Sequence, residues 1–167
     1  MTGNLVAPDW PDKEEFMKEF NKELSTGSDR ALVLVAGAMT DELLLRLLKI
    51  SLPFACDEMF EGGNSVLSSW SARSTIVRSL GLIPEEDYRR LNLLRKMRND
   101  MAHKLSLTLS DSEFVNRVQE LCKGINLSNI PDNDRIKFSV AGLYLISMLS
   151  LRIAEVKNSP IVRPLFP

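Results

Sequence analysis

The sequence predicts an all-α fold, a single-domain bundle of about six helices. Apolar residues recur at spacings of three and four along most of the chain, and no long run alternates apolar and polar residues as a strand does. The 167 residues fit one domain, and 44% of them are apolar, enough to build a hydrophobic core. We expect the helical domain to cover residues 1–157, followed by a Pro-containing C-terminal tail over residues 158–167.

The first three helices have recognisable ends. The first spans about residues 11–24, with Pro11 suited to the first helical position. The second begins after Ser28 or Asp29 and runs to about residue 50, where the Leu-Pro at 52–53 stops it. It is apolar nearly all round, so it should be central. After a loop over residues 57–64, the third helix covers about residues 68–80, and Gly81 closes it.

The last three helices follow from turn and capping residues. The fourth begins at Pro84, has acidic residues in its first turn and basic residues towards its other end, which suits the helix dipole. The fifth opens with a predicted capping box from Ser110 to Glu113, runs to residue 122, and is stopped by Gly124. The sixth covers about residues 134–157. We expect the second and sixth helices to form the centre of the bundle.

The overall charge argues against a general attraction to nucleic acid or to an anionic membrane. There are 21 basic and 22 acidic side chains, which give a net charge of −1. The longest uncharged stretch, residues 138–151, is shorter than the roughly 20 residues that span a bilayer as a helix. The N-terminus lacks the basic segment and apolar run of a signal peptide. We expect a soluble, cytoplasmic protein that does not associate with membranes.

The inventory of reactive side chains excludes several kinds of site. His103 is the one histidine, and Cys56 and Cys122 lie far apart, so no zinc-ligand set is evident. We expect both cysteines to be buried free thiols. No glycine-rich phosphate-binding loop is present. We therefore expect neither a metal nor a cofactor.

Three charged residues stand on apolar helical stripes. Asp41 falls on the stripe of the second helix, Arg73 on that of the third and Arg98 on that of the fourth. An unpaired buried charge costs several kcal/mol, so these side chains should find one another. One interpretation is a structural ion pair of Asp41 with Arg73 or Arg98. The other is that they line a cleft at which an anion binds.

The fourth helix also carries a basic run with one acidic residue, Asp100, in it. Near a phosphate-handling motif such a run would guide RNA. The alternative, a solvated face matched to the helix dipole, is favoured because only Tyr88 offers an aromatic stacking platform nearby. The basic residues are Arg89, Arg90, Arg95, Lys96, Arg98 and Lys104.

Residues 98–103, Arg-Asn-Asp-Met-Ala-His, resemble the signature of the HEPN superfamily of small helical proteins. In the members that are metal-independent ribonucleases, the arginine and histidine act on a phosphodiester, and the resemblance implies the same roles for this sequence. Here Arg98 would hold the scissile phosphate, His103 would be the general acid or base, and Asn99 would orient it. In a continuous helix, however, Arg98 points about 140° away from His103. The two would meet only if the helix breaks or a two-fold partner supplies the second group.

A second resemblance covers residues 31–122. The segments Ser-Ser-Trp-Ser-Ala-Arg at 68–73, Leu-Gly-Leu-Ile at 80–83 and Leu-Arg-Lys-Met-Arg-Asn at 94–99 look like those of the mannitol operon repressor (MltR-like) family. The resemblance implies a helical bundle, a homo-oligomer and a regulatory role in bacterial sugar-operon repression. The matching positions are Arg73, Gly81, Arg98, Asn99 and His103.

Two functional hypotheses follow. The first is a non-catalytic transcriptional regulator that forms a homodimer and acts through protein–protein contacts, in which the polar cluster Asp41, Arg73, Arg98 and His103 is structural or functional but not catalytic. The second is a toxin-like, metal-independent ribonuclease that uses Arg98, Asn99 and His103 and binds RNA. The neutral net charge and the lack of any further catalytic group favour the first.

Overall fold

The computed structural model describes residues 13–52, 55–62, 65–104 and 106–158, and these residues form helices and no strand. The prediction of an all-α bundle of about six helices is confirmed; its likeness to HEPN proteins stays a prediction. The elements are α1 (Lys13–Thr26), α2 (Asp29–Ser51), a 3-10 helix (Asp57–Met59), α3 (Trp70–Ser79), α4 (Glu85–His103), α5 (Ser112–Leu121) and α6 (Asp134–Asn158).

Helices α2 and α6 form the centre of the bundle, as the sequence predicts. Helix α2 packs against α1, α3, α4 and, most extensively, α6. Small residues bring these two helices close: a Cβ added at Gly142 of α6 would lie 3.7 Å from the Cβ of Ala36 in α2. Buried leucines of both helices fill the core around this contact, among them Leu43, Leu47 and Leu145.

Helix α6 is long and apolar enough to cross a membrane by length and composition alone. An 18-residue window within it has a mean hydropathy of 1.5, so the uncharged stretch of residues 138–151 understated its apolar length. Half of that window is buried inside the bundle. A core helix of a globular bundle meets the same criterion, and burial against α2 accounts for the apolar residues on the inner face of α6.

Most predicted helix ends are present. The Ser28 hydroxyl accepts from the backbone N–H of Ala31 at 3.1 Å and caps α2. Helix α3 begins at Trp70, two residues later than predicted, and the Ser69 hydroxyl caps it by accepting from the N–H of Ala72 at 3.2 Å. Gly81 follows α3 with φ of +70°, a conformation that glycine adopts without strain.

Several local predictions were wrong, and others concern residues outside the described part of the chain. The capping box of α5 does not form, because the Asp111 carboxylate turns back to the N–H of Thr108 at 2.7 Å and α5 begins at Ser112. The loop predicted over residues 57–64 contains the short 3-10 helix. Cys122 is a buried free thiol, but Cys56 is exposed. Pro11, Pro53 and residues 159–167 of the predicted tail lie outside the described residues.

Candidate functional site

Helices α2, α3 and α4 border an open cavity of about 240 Å³, which we call the α3 cavity. The beginning of α3 forms one side of it, a stretch of α2 forms the second and the later part of α4 forms the third. Two arginines of the basic run border it, and an indole ring supplies an apolar wall. The residues that define it are Gly37, Asp41, Trp70, Arg95, Arg98 and Asn99.

The ion pair expected between Asp41 and Arg73 is present at the edge of this cavity. Arg73 Nη1 lies 2.9 Å from Asp41 Oδ1, and Arg73 Nε donates to the backbone carbonyl of Leu67 at 2.8 Å. The Arg73 side chain is 11% exposed and that of Asp41 is 34% exposed. The pair therefore joins α2 to α3 and the loop before it, with the carboxylate facing water and the guanidinium buried.

Arg98 was expected on an inward face, and this prediction was only half right. The residue is exposed, and its Nη1 donates to the Asn99 side-chain oxygen at 3.1 Å. Its aliphatic stem nevertheless packs on α2, since a Cβ at Gly37 would lie 2.8 Å from Arg98 Cγ. The helical periodicity located the stem correctly, while the charged end reaches the cavity and solvent, as long cationic side chains commonly do.

The rest of the hexapeptide at 98–103 is held by packing and polar contacts. Met101 is fully buried in the core. Asp100 Oδ2 accepts from Arg117 Nη1 at 2.6 Å, and this hydrogen bond is the main cause that holds the pKa of Asp100 below its ordinary value. The carbonyl of Ala102 accepts from Arg30 Nη2 of α2 at 3.0 Å. These contacts tie the last turn of α4 to α2 and α5.

The proposed ribonuclease residues occupy two different places. Arg98 and Asn99 border the α3 cavity, whereas His103 is exposed in the last turn of α4 and does not line it. Helix α4 is continuous from Glu85 to His103, so the separation of about 140° between the directions of Arg98 and His103 applies. Within one subunit the structure does not bring the three groups together.

A buried cluster on α4 was missed by the sequence analysis, and we call it the Asp87–Arg90 cluster. Arg90 Nη1 lies 2.6 Å from Asp87 Oδ1, with the two side chains 8% and 4% exposed. Arg90 Nη2 donates to the carbonyl of Lys123, and its guanidinium lies 5.2 Å from the ring centre of Tyr144. Burial and the nearby charge of Asp87 raise the pKa of the Tyr144 hydroxyl. The spacing of three between opposite charges was the available signal, but the charge pattern of this helix is explained at the level of sequence by the helix dipole alone.

The outer surface of α6 carries an apolar strip with the helical spacing of four and three, formed by Tyr144, Met148 and Leu151. Tyr144 is 38% exposed and Leu151 is 48% exposed. Together with Arg152 and Glu155 these residues line a shallow groove of about 270 Å³. We call this surface the α6 strip.

None of the described residues forms a group of three or more His, Cys, Asp or Glu side chains that would hold a metal ion.

No protein-family model matches the chain, and no curated protein matches it. The chain is similar to a solved structure, the X-ray structure of the MtlR–HPr complex from Escherichia coli, with a TM-score of 0.65 and 18% sequence identity. The similarity covers 81% of this chain and 98% of the other. The likeness is one of fold.

Proposed function

We propose that this protein is a non-catalytic regulator that acts through contacts with other proteins in the bacterial cytoplasm. The observation that carries the proposal is the shared fold with a chain of the MtlR–HPr complex, a protein–protein assembly. The sequence resemblance to mannitol operon repressors points in the same direction. At 18% identity the likeness between this chain and the solved structure is one of fold. The regulatory role and the protein partner are therefore what we propose.

The partner we propose is a protein of the HPr type. The experiment is a calorimetric titration of this protein with HPr from the same organism and with Escherichia coli HPr. Saturable binding at one to one supports the proposal. An absence of heat and of co-sedimentation at concentrations of about 100 μM, where even a weak transient complex forms, would contradict it.

We further propose that the protein is a homodimer and that the α6 strip is its contact surface. A two-fold interface has to be self-complementary, because the same patch meets itself. The composition of the strip supports such an interface: its apolar residues are flanked by charges of opposite sign, Arg152 and Glu155, whose Nη1 and Oε2 atoms lie 2.6 Å apart within one chain. Across a two-fold axis these charges would pair with their counterparts.

Sedimentation of the parent and of a Leu151→Glu variant tests the dimer. The parent is expected to sediment as a dimer at tens of micromolar, roughly the working range of a weak dimer, and the variant as a monomer. Sedimentation of the parent as a monomer would contradict the dimer proposal and leave the HPr proposal unaffected. The same variant in the HPr titration reports whether the partner uses this strip or another surface.

The separation of Arg98 from His103 also favours a non-catalytic role. General acid–base catalysis on a phosphodiester requires the proton-transferring group within hydrogen-bond reach of the atoms that the arginine holds. The continuous helix supports neither that reach nor a shared cavity within one subunit.

A further inference from the structure

We propose that the α3 cavity binds the phosphate group of a small phosphate monoester. The proposal is independent of the HPr and dimer proposals, because it concerns α2, α3 and α4 and not the α6 strip. It rests on a set of hydrogen-bond donors around the cavity that exceeds the acceptors available to them.

The first donors belong to the beginning of α3. The opening turn of a helix presents backbone N–H groups that have no partner within the helix, and the helix dipole favours an anion there. The Ser69 hydroxyl satisfies the N–H of Ala72, which lies further into the turn. Trp70 and Ser71, the first two residues of α3, both line the cavity.

The second observation concerns buried side-chain donors that lack an acceptor. Trp70 is 8% exposed and lines the cavity, and its indole Nε1 is buried without a hydrogen-bond partner. Arg95 Nε is also buried without one. An indole N–H is a donor only, and none of the described residues accepts from it. Leaving such a donor unsatisfied costs free energy, so an acceptor that reaches either nitrogen would make a hydrogen bond that the protein alone does not make.

The third observation is charge. Throughout residues 13–52, 55–62, 65–104 and 106–158, neither Arg95 nor Arg98 forms an ion pair. Asp41 borders the cavity, but its charge is balanced by Arg73. The cavity is therefore left with two positive charges that no carboxylate neutralises.

These features favour a phosphate monoester over other anions. A phosphate monoester carries a charge of about −1.5 to −2 at neutral pH and has three acceptor oxygens. Two arginines and a helix N-terminus match that charge and geometry, whereas a carboxylate would leave one positive charge unbalanced. A volume of about 240 Å³ holds a phosphate and a few further atoms, so a small ester fits.

Gly37 positions one of the two arginines. A Cβ at this position would lie 2.8 Å from Arg98 Cγ and 3.6 Å from Trp70 Cζ3. Both atoms belong to cavity residues, and Cγ lies close to the backbone of Arg98, so the side chain would have to change rotamer to avoid the methyl group. Glycine here lets the arginine stem lie across α2 with its guanidinium at the cavity.

The test follows the indole N–H of Trp70 by nuclear magnetic resonance in a Trp10→Phe background, which leaves Trp70 as the single indole. Inorganic phosphate, glycerol 3-phosphate, acetate and glycerol are titrated separately at constant ionic strength. Saturable movement of the indole resonance with glycerol 3-phosphate, at lower concentration than with acetate, supports the proposal. An equal response to inorganic phosphate would assign the site to free phosphate. No saturable movement with either phosphate compound would overturn the proposal.

Matched variants locate the site. Arg95→Gln and Arg98→Gln are each expected to weaken binding at least about tenfold, while Arg89→Gln, which removes an exposed charge from the same helix, changes it less than about twofold. Gly37→Ala keeps every charge and is expected to weaken binding by displacing Arg98. An Arg89→Gln effect as large as that of Arg98→Gln would mean general electrostatic attraction and would overturn the assignment to the cavity. Thermal unfolding of each variant confirms that it is folded.

Discussion

Helix α4 carries two arginine sites, one in which a carboxylate pairs with the positive charge and one in which no carboxylate does. In the Asp87–Arg90 cluster the guanidinium is buried, paired with a carboxylate and hydrogen-bonded to the Lys123 carbonyl. Of its three nitrogens, Nε is buried without a hydrogen-bond partner. At the α3 cavity, Arg95 and Arg98 lie five and eight residues further along the helix and have no ion pair among the described residues. The ion-pair partners that an arginine finds in the fold, and not the residue type, therefore separate a structural arginine from a candidate binding residue.

The largest expected effect is at the Asp87–Arg90 cluster. Arg90→Ala leaves the Asp87 carboxylate buried and without its partner, and we expect the free energy of unfolding to fall by about 3–5 kcal/mol. Denaturant unfolding followed by circular dichroism measures the change. Arg89→Ala, at an exposed neighbouring position, serves as the control and should stay within about 0.5 kcal/mol of the parent. A loss below about 1 kcal/mol for Arg90→Ala would remove the contrast between the two sites.

Arg73→Ala should have the next largest effect. The guanidinium is buried, but its partner Asp41 is 34% exposed and regains water when the pair is broken. We therefore expect a smaller loss than for Arg90→Ala, about 2–3 kcal/mol, from the ion pair and the hydrogen bond to the Leu67 carbonyl. Thermal unfolding within a degree or two of the parent would mean that the pair adds little, and that the edge of the cavity does not depend on it.

The Asp100–Arg117 pair provides a half-exposed third case on the same helix. The hydrogen bond from Arg117 holds the pKa of Asp100 below its ordinary value, so the pair stabilises the fold above pH of about 3.9, and that contribution is lost as the pH falls through the lowered pKa. We expect a contribution of at most about 1 kcal/mol. Melting temperatures of the parent and of Asp100→Asn, measured from neutral to acidic pH, should converge at the acidic end. A constant gap would show that the effect is not ionic.

Arg98→Gln should change stability least. The side chain is exposed and forms no ion pair among the described residues, and glutamine retains much of the aliphatic stem that packs at Gly37. We expect a change within about 0.5 kcal/mol by denaturant unfolding. A gain in stability would fit relief of the repulsion between Arg95 and Arg98 and would sharpen the contrast with Arg90. A loss as large as that for Arg90→Ala would instead make Arg98 a structural residue.

For RNA cleavage we expect no effect at all. The parent, His103→Ala and Arg98→Ala are incubated with structured and single-stranded RNA in the presence of a chelator, and all three should give the same background. Cleavage by the parent that both substitutions abolish would overturn the non-catalytic proposal. It would also mean that a second subunit brings His103 to the cavity.

Helical periodicity and capping residues predicted most of the fold. The six helices, the Ser28 cap and Gly81 all depend on interactions within a few residues, which the sequence displays directly. The capping box of α5 failed because Asp111 had an alternative acceptor role towards Thr108. Competition of this kind between neighbouring polar groups is not visible in a pattern of residue types.

The candidate site was less predictable, because it depends on which charges meet across helices. The ion pair of Asp41 with Arg73 followed from placing charges on apolar stripes. The burial of Arg90 did not, since its acceptor at Lys123 is a backbone carbonyl from a distant turn and carries no sequence signal. The unpartnered indole of Trp70 was likewise invisible, because a donor without an acceptor is a property of the folded structure.

The packing of α6 against α2 has a consequence for synthesis on the ribosome. A chain made from the N-terminus completes α2 early but acquires its most extensive partner only when α6 emerges. Until then the leucines of α2 that face α6 have no native cover, and exposed apolar surface of this kind promotes aggregation. A chain that stops before Asp134 would therefore be expected to need a chaperone, whereas the same helices in the full-length chain would not.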